Sequence, residues 1–174
     1  MKKLTTVLGL CAVLFAACSS SDKKEETAAK SDTTLLPEAK ANKEVDPVTG
    51  KMTLVGNAKL GQPINIKFSV YNNADTVAKF CKWHTPFERL MSKYLDVSLE
   101  DYTPVDYKGP MAKRVMPPPA DSYTSLKKGD STSVDFNLND AYNISKPGTY
   151  TIKYNSATIS GIVVKDSLKI NVAN

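Results

Sequence analysis

Ile64-Asn65-Ile66-Lys67-Phe68-Ser69-Val70-Tyr71 decides the fold. Apolar and polar residues alternate along it with a period of two, as on a strand that buries one face and wets the other. The same alternation recurs in Leu95-Asp96-Val97-Ser98-Leu99, Val134-Asp135-Phe136-Asn137-Leu138, Tyr150-Thr151-Ile152-Lys153-Tyr154 and Leu168-Lys169-Ile170-Asn171-Val172. Between these runs lie breakers: Asn72-Asn73, Lys108-Gly109-Pro110, Pro117-Pro118-Pro119, Lys128-Gly129-Asp130 and Lys146-Pro147-Gly148. Short strands separated at this spacing predict an all-β domain, an antiparallel β-sandwich of about seven to eight strands. Phe87 to Lys93 is the one stretch in which a helical turn is expected.

Gly148-Thr149-Tyr150 adds a local signal. A tyrosine at the start of a late strand, its hydroxyl reaching back to upstream backbone, is the tyrosine corner of Ig-like sandwiches. The alternative is a Tyr150 that simply points inward; both put it on the same strand.

The N-terminus bears on compartment. Met1-Lys2-Lys3 precedes an apolar run from Leu4 to Ala17, too short for a stable membrane span and closed by small residues, the pattern of a secretory leader. Phe15-Ala16-Ala17-Cys18 resembles a lipoprotein cleavage site, so residues 1–17 are expected to leave and Cys18 to be lipidated. Several acyl chains on one cysteine hold a protein at a membrane as a single chain does not. The expected location is the cell envelope, at the outer membrane. Residues 18–49 read as the lipidated cysteine and a disordered tether, because Ser, Lys, Glu, Thr and Ala bury too little to offset the entropy of ordering. Its reach is roughly 30 Å by square-root scaling. Residues 50–174 then form one domain.

Removing the leader takes Lys2 and Lys3 with it, so the formal charge of +5 falls to +3. A small surplus spread among mixed signs, without a basic stripe, predicts no nucleic-acid partner. Catalysis and cofactors are not expected either. A zinc hydrolase needs paired imidazoles one helical turn apart, and His84 is the only histidine. Cys81 and the thioethers of Met52, Met91, Met111 and Met116 are soft donors for Cu(I), but their spacing makes no ligand set. Cys81, between Phe80 and Trp83, reads as a small buried hydrophobe, with intermolecular pairing the alternative.

A further series of words carries a resemblance. Trp83-His84-Thr85-Pro86-Phe87-Glu88, Tyr107-Lys108-Gly109, Lys113-Arg114, Asp140-Ala141-Tyr142 and Gly148-Thr149-Tyr150 follow in this order. Together they resemble the N-terminal, propeptide-like domain of the deuterolysin and peptidyl-Lys metalloendopeptidase family. The family's enzymes continue into a zinc protease domain, so the resemblance implies a non-catalytic domain standing alone. It also implies a partner, a secreted zinc metallopeptidase that the domain binds or regulates. Trp83, Thr85, Pro86, Tyr107, Gly109, Lys113, Arg114, Asp140, Tyr142, Gly148 and Tyr150 would serve structure or partner binding. The competing expectation is an Ig-like lipoprotein module with a structural, adhesive or ligand-binding role.

Overall fold

The computed structural model describes residues 46–174. The expected leader over 1–17, the lipidation of Cys18 and nearly all of the tether lie outside the described residues. Eight strands follow one another: β1 Val48–Val55, β2 Asn65–Asn72, β3 Ala78–Cys81, β4 Leu95–Leu99, β5 Tyr123–Leu126, β6 Ser131–Asn137, β7 Gly148–Tyr154 and β8 Leu168–Val172. β1 starts just ahead of the boundary expected at residue 50.

All strand pairs are antiparallel and fall into three sheets, ordered β1-β2-β6, β4-β7-β8 and β3-β5. β2 behaves as its alternation demands: Ile66, Phe68 and Val70 are buried while Asn65, Lys67 and Tyr71 are exposed. Ile152 and Tyr154 on β7, Leu95 and Val97 on β4, and Ile170 and Val172 on β8 supply the other half of the core. The two three-stranded sheets meet where the Phe68 ring lies 5.2 Å from that of Tyr154 and Phe136 backs onto Tyr94 at 6.4 Å. The architecture is the expected all-β sandwich.

Close backbone approach fixes one seam. Segment 162–164 runs beside β1, exchanging hydrogen bonds from Gly50 N–H to Val163 and from Val163 N–H to Val48. A Cβ at Gly50 would stand 2.8 Å from Val164 and 2.9 Å from Ile162, so glycine is needed for contact, not for conformation. At the far end of β2, Asn72 is buried and its amide donates to the carbonyls of Thr76, Leu126 and Lys127, tying the β2 turn to the β5–β6 turn.

Two expectations need correction. Phe87–Lys93 forms no helical turn; a turn over Pro86 and Phe87 gives way to bends and irregular chain, because Phe87 is drawn into the aromatic core and Glu88 is held by a distant arginine. Leu138 does not extend β6 but opens a short 3-10 turn, Leu138–Asp140, capped by the Asn137 side chain. That cap also accepts from Ile64 N–H, and Asn137 in turn donates to Asp140.

The tyrosine corner is present. Tyr150 is buried at the start of β7 and its hydroxyl donates to the Lys146 carbonyl at 2.7 Å. Tyr150→Phe is expected to lower unfolding free energy by about 1 kcal/mol in urea melts, since the Lys146 carbonyl loses its donor while the packing stays. An unchanged midpoint would mean the bond contributes nothing to holding this corner.

Candidate functional site

The residues of the resemblance gather around one long irregular segment, 100–119, which joins β4 to β5. Connections of this length without regular structure are uncommon in compact domains and usually functional. What holds this one in place begins at the end of β3. Cys81 N–H bonds to Ser160 and Lys82 N–H to Ser122. Thr85, fully buried, then donates its hydroxyl to the Lys82 carbonyl at 2.6 Å and accepts from Phe87 N–H at 3.1 Å. Pro86, also buried, restricts the backbone beside it. His84 is carried into a left-handed conformation at φ 59°, uncommon for a residue other than glycine. Its two backbone groups are both used: its N–H donates to Glu88 Oε1 at 2.8 Å and its carbonyl accepts from the Tyr154 hydroxyl at 3.0 Å.

This turn aims three side chains. Phe87 packs inward against Phe80 at 5.2 Å and Phe68 at 6.2 Å. Glu88 presents Oε2 to Arg114 Nη2 at 2.6 Å, with 12% of the Glu88 side chain and 22% of the Arg114 side chain exposed. The Arg114 guanidinium also lies 4.7 Å from the centre of the Trp83 ring, stacking charge on the ring face. Arginine suits this role because its flat head pairs with a carboxylate and an aromatic face together.

A second anchor sits nearer the start of the segment. Tyr107 pairs by a backbone bridge with Tyr142 and stands edge-on to its ring at 5.5 Å. The Tyr107 chain folds over Gly109 to donate to the Pro110 carbonyl at 2.8 Å. A Cβ at Gly109 would lie 2.5 Å from the Tyr107 hydroxyl oxygen, so only glycine fits beneath that ring. Tyr142 is itself buried and donates to the Leu95 carbonyl. Burial raises the phenols of Tyr94, Tyr142 and Tyr154 above their ordinary range, and Tyr142 and Tyr154 use their protons as donors. A third tie runs from Ala112 N–H to the Met91 carbonyl.

Met111, between these anchors, and Val115 and Met116, just past Arg114, show apolar side chains to solvent: they are 71%, 83% and 59% exposed. Lys113 is exposed as well. The result is a clamped loop with an apolar tip, bounded by Pro117-Pro118-Pro119. Grouped exposed apolar residues mark contact surfaces, and methionine adapts to varied partners.

Not every expected site residue joins this loop. Gly148 and Tyr150 build the tyrosine corner, and the exposed Asp140 serves the Asn137 cap. Cys81 is fully buried and burial raises its thiol, so it lacks the thiolate of a nucleophile. The soft donors do not assemble: Met52 lies in the core while Met111 and Met116 face solvent. Among the described residues there is no group of three or more His, Cys, Asp or Glu side chains placed to hold a metal.

Sequence reading gave no separate role to Glu88. Glu88 lies within the Trp83–Glu88 word, but its partner Arg114 is 26 residues away, and nothing local signals that pairing.

Comparison with known proteins places residues 51–158 in an immunoglobulin-like domain family. An extracellular protease of Aeromonas hydrophila is 28% identical over 114 residues, which cover 63% of this chain and 30% of that protein. The match thus spans under a third of the protease. Among solved structures, the β-glucosidase of Listeria innocua aligns at 14% identity over 73% of this chain and 16% of its own, with a TM-score of 0.36. Its gluconolactone complex aligns over the same shares with a TM-score of 0.37.

Proposed function

The chain belongs to the immunoglobulin-like domain family, and from that premise we propose that it is a non-catalytic module of the cell envelope that binds a secreted zinc metallopeptidase. In this reading Cys18 carries the lipid anchor at the outer membrane, the tether follows it, and the domain meets its partner through the 107–119 loop. The observation that carries the reading is the loop itself. Its apolar residues are exposed, yet the chain leading to them is fixed by the Tyr107–Gly109 fold and by the Arg114–Glu88–Trp83 clamp. A preformed loop meets a cleft at a lower ordering cost than a free one. The resemblance to the propeptide-like domain of deuterolysin-type enzymes names the kind of partner, and the likeness to part of an extracellular protease agrees with it. Binding would regulate the peptidase by occupying its cleft.

The test is a pull-down from the host's envelope and secreted fractions with the purified chain as bait, read by mass spectrometry. Enrichment of a zinc metallopeptidase, lost when Val115 and Met116 are both changed to Asp, is the expected result. Recovery of envelope proteins alone, with no peptidase among them, would overturn the reading.

A further inference from the structure

The outward face of the β4-β7-β8 sheet forms the floor of an open groove of about 950 Å³ that shares no lining residue with the 107–119 loop. Ligand sites commonly enclose roughly 300–1,000 Å³. Strand register decides what faces the groove, because residues directly opposite on antiparallel strands point to the same side. Asp96 stands opposite Lys153, Ser98 opposite Thr151, and Thr151 opposite Lys169. The floor is therefore a grid of hydroxyls and charges on the wet side of a sheet whose other side is core.

At the edge of the floor, the chain leaving β4 folds back beside it, with Pro104 bridged to Ser98. Tyr102 N–H bonds to Leu99, Leu99 N–H to Thr103, and Val105 N–H to Val97. Tyr102 sits at the crest of this turn with φ 65°, the left-handed region that side chains other than glycine seldom adopt. Its ring is 88% exposed and lines the groove. A large aromatic ring held in a strained turn and left bare is a surface without its contact.

Charge narrows the ligand. Five charged groups face the groove: Lys93, Asp96, Glu100, Lys153 and Lys169. Lys93 and Asp96 pair with each other at 3.0 Å. Neither Lys153 nor Lys169 is in a salt bridge among the described residues. Two free ammonium groups against the single carboxylate of Glu100 leave the groove positive. An exposed aromatic plate, a hydroxyl-rich floor and surplus ammonium groups complement a ligand with flat apolar faces, many hydroxyls and carboxylates.

We propose that this groove binds an acidic oligosaccharide, a sugar chain carrying carboxylates. A sugar ring stacks on Tyr102, Thr151 and Ser98 exchange hydrogen bonds with its hydroxyls, and its carboxylates meet Lys153 and Lys169. A polyglutamate chain offers the charge but neither the stacking faces nor the hydroxyls.

Isothermal titration of the purified chain tests this with hexamers of galacturonate, alginate and hyaluronan, with maltohexaose as the neutral control and polyglutamate as the peptide control. At least one acidic hexamer is expected to bind ten-fold or more tightly than either control, and to weaken as salt rises. The Lys153→Ala, Lys169→Ala double variant should weaken that binding about ten-fold, and Tyr102→Ala at least five-fold. All three side chains are exposed, and circular dichroism melts check that the variants remain folded. Failure of all three acidic hexamers to bind would overturn the proposal, as would equal binding of maltohexaose, tighter binding of polyglutamate, or affinity indifferent to these substitutions. None of these outcomes bears on the 107–119 loop.

Discussion

Phe68→Ala is expected to lower the unfolding free energy by about 3–5 kcal/mol, a large share of the roughly 5–15 kcal/mol that ordinarily holds a domain folded. Phe68 is fully buried at the middle of β2, with its ring 5.2 Å from Tyr154 across the sandwich and 6.2 Å from Phe87. It also approaches the backbone seam, where a Cβ on Gly50 would stand 3.2 Å from the ring. Truncation thus empties a space shared by both sheets and by the turn that holds Trp83 and Glu88. No neighbour closes it easily, since glycine occupies one wall and paired backbone another. Thermal melts should show a fall of roughly 10–20 °C, while Lys67→Ala, exposed beside it on the same strand, should stay within about 0.5 kcal/mol of the parent. A loss below about 1 kcal/mol for Phe68→Ala would mean that the two sheets do not share this core.

The second large effect concerns the clamp. Glu88→Ala is expected to cost about 2–3 kcal/mol and to free the loop. One carboxylate serves two partners here, the His84 N–H and the Arg114 guanidinium. Removing it leaves a turn amide without its acceptor and a half-buried cation without its counter-ion. The cost stays below that of a fully buried pair, because both side chains keep some contact with water. Glu88→Gln retains an acceptor and should lose only about half as much. Limited trypsin digestion reads the loop directly: cleavage after Arg114 is expected to be several-fold faster in Glu88→Ala than in the parent. Equal stability and equal cleavage would show that the clamp holds nothing.

These two residues also show how far sequence reaches into structure. Phe68 was legible because strand alternation is a local property, and every position of Ile64–Tyr71 repeats it. β1 was harder to see. Gly50 breaks its alternation, and the reason is segment 162–164, over a hundred residues away, pressing on the backbone. The short β3 and β5 pair only with each other, and neither has the length to show a period. The same division holds for the site. The motif words marked Trp83, Tyr107, Gly109 and Arg114, and the structure brings them to the anchors of one segment. What the words do not encode is the pairing: Glu88 meets Arg114, and Tyr107 meets Tyr142, only after the chain has folded. The groove lies further still from local pattern, because Lys153 and Lys169 share a face through the register of β7 with β8. The exposure of Met111, Val115 and Met116 was equally hidden, since a hydrophobic residue in a sequence ordinarily signals core.

The most direct test of the proposed peptidase-binding role is the hydrolysis rate of the host's secreted zinc metallopeptidase fraction as purified chain is added. The parent chain should slow hydrolysis in a saturable way, while a folded variant with Val115→Asp and Met116→Asp should leave the rate unchanged. A rate insensitive to both proteins, or slowed equally by both, would contradict a regulator that acts through the 107–119 loop.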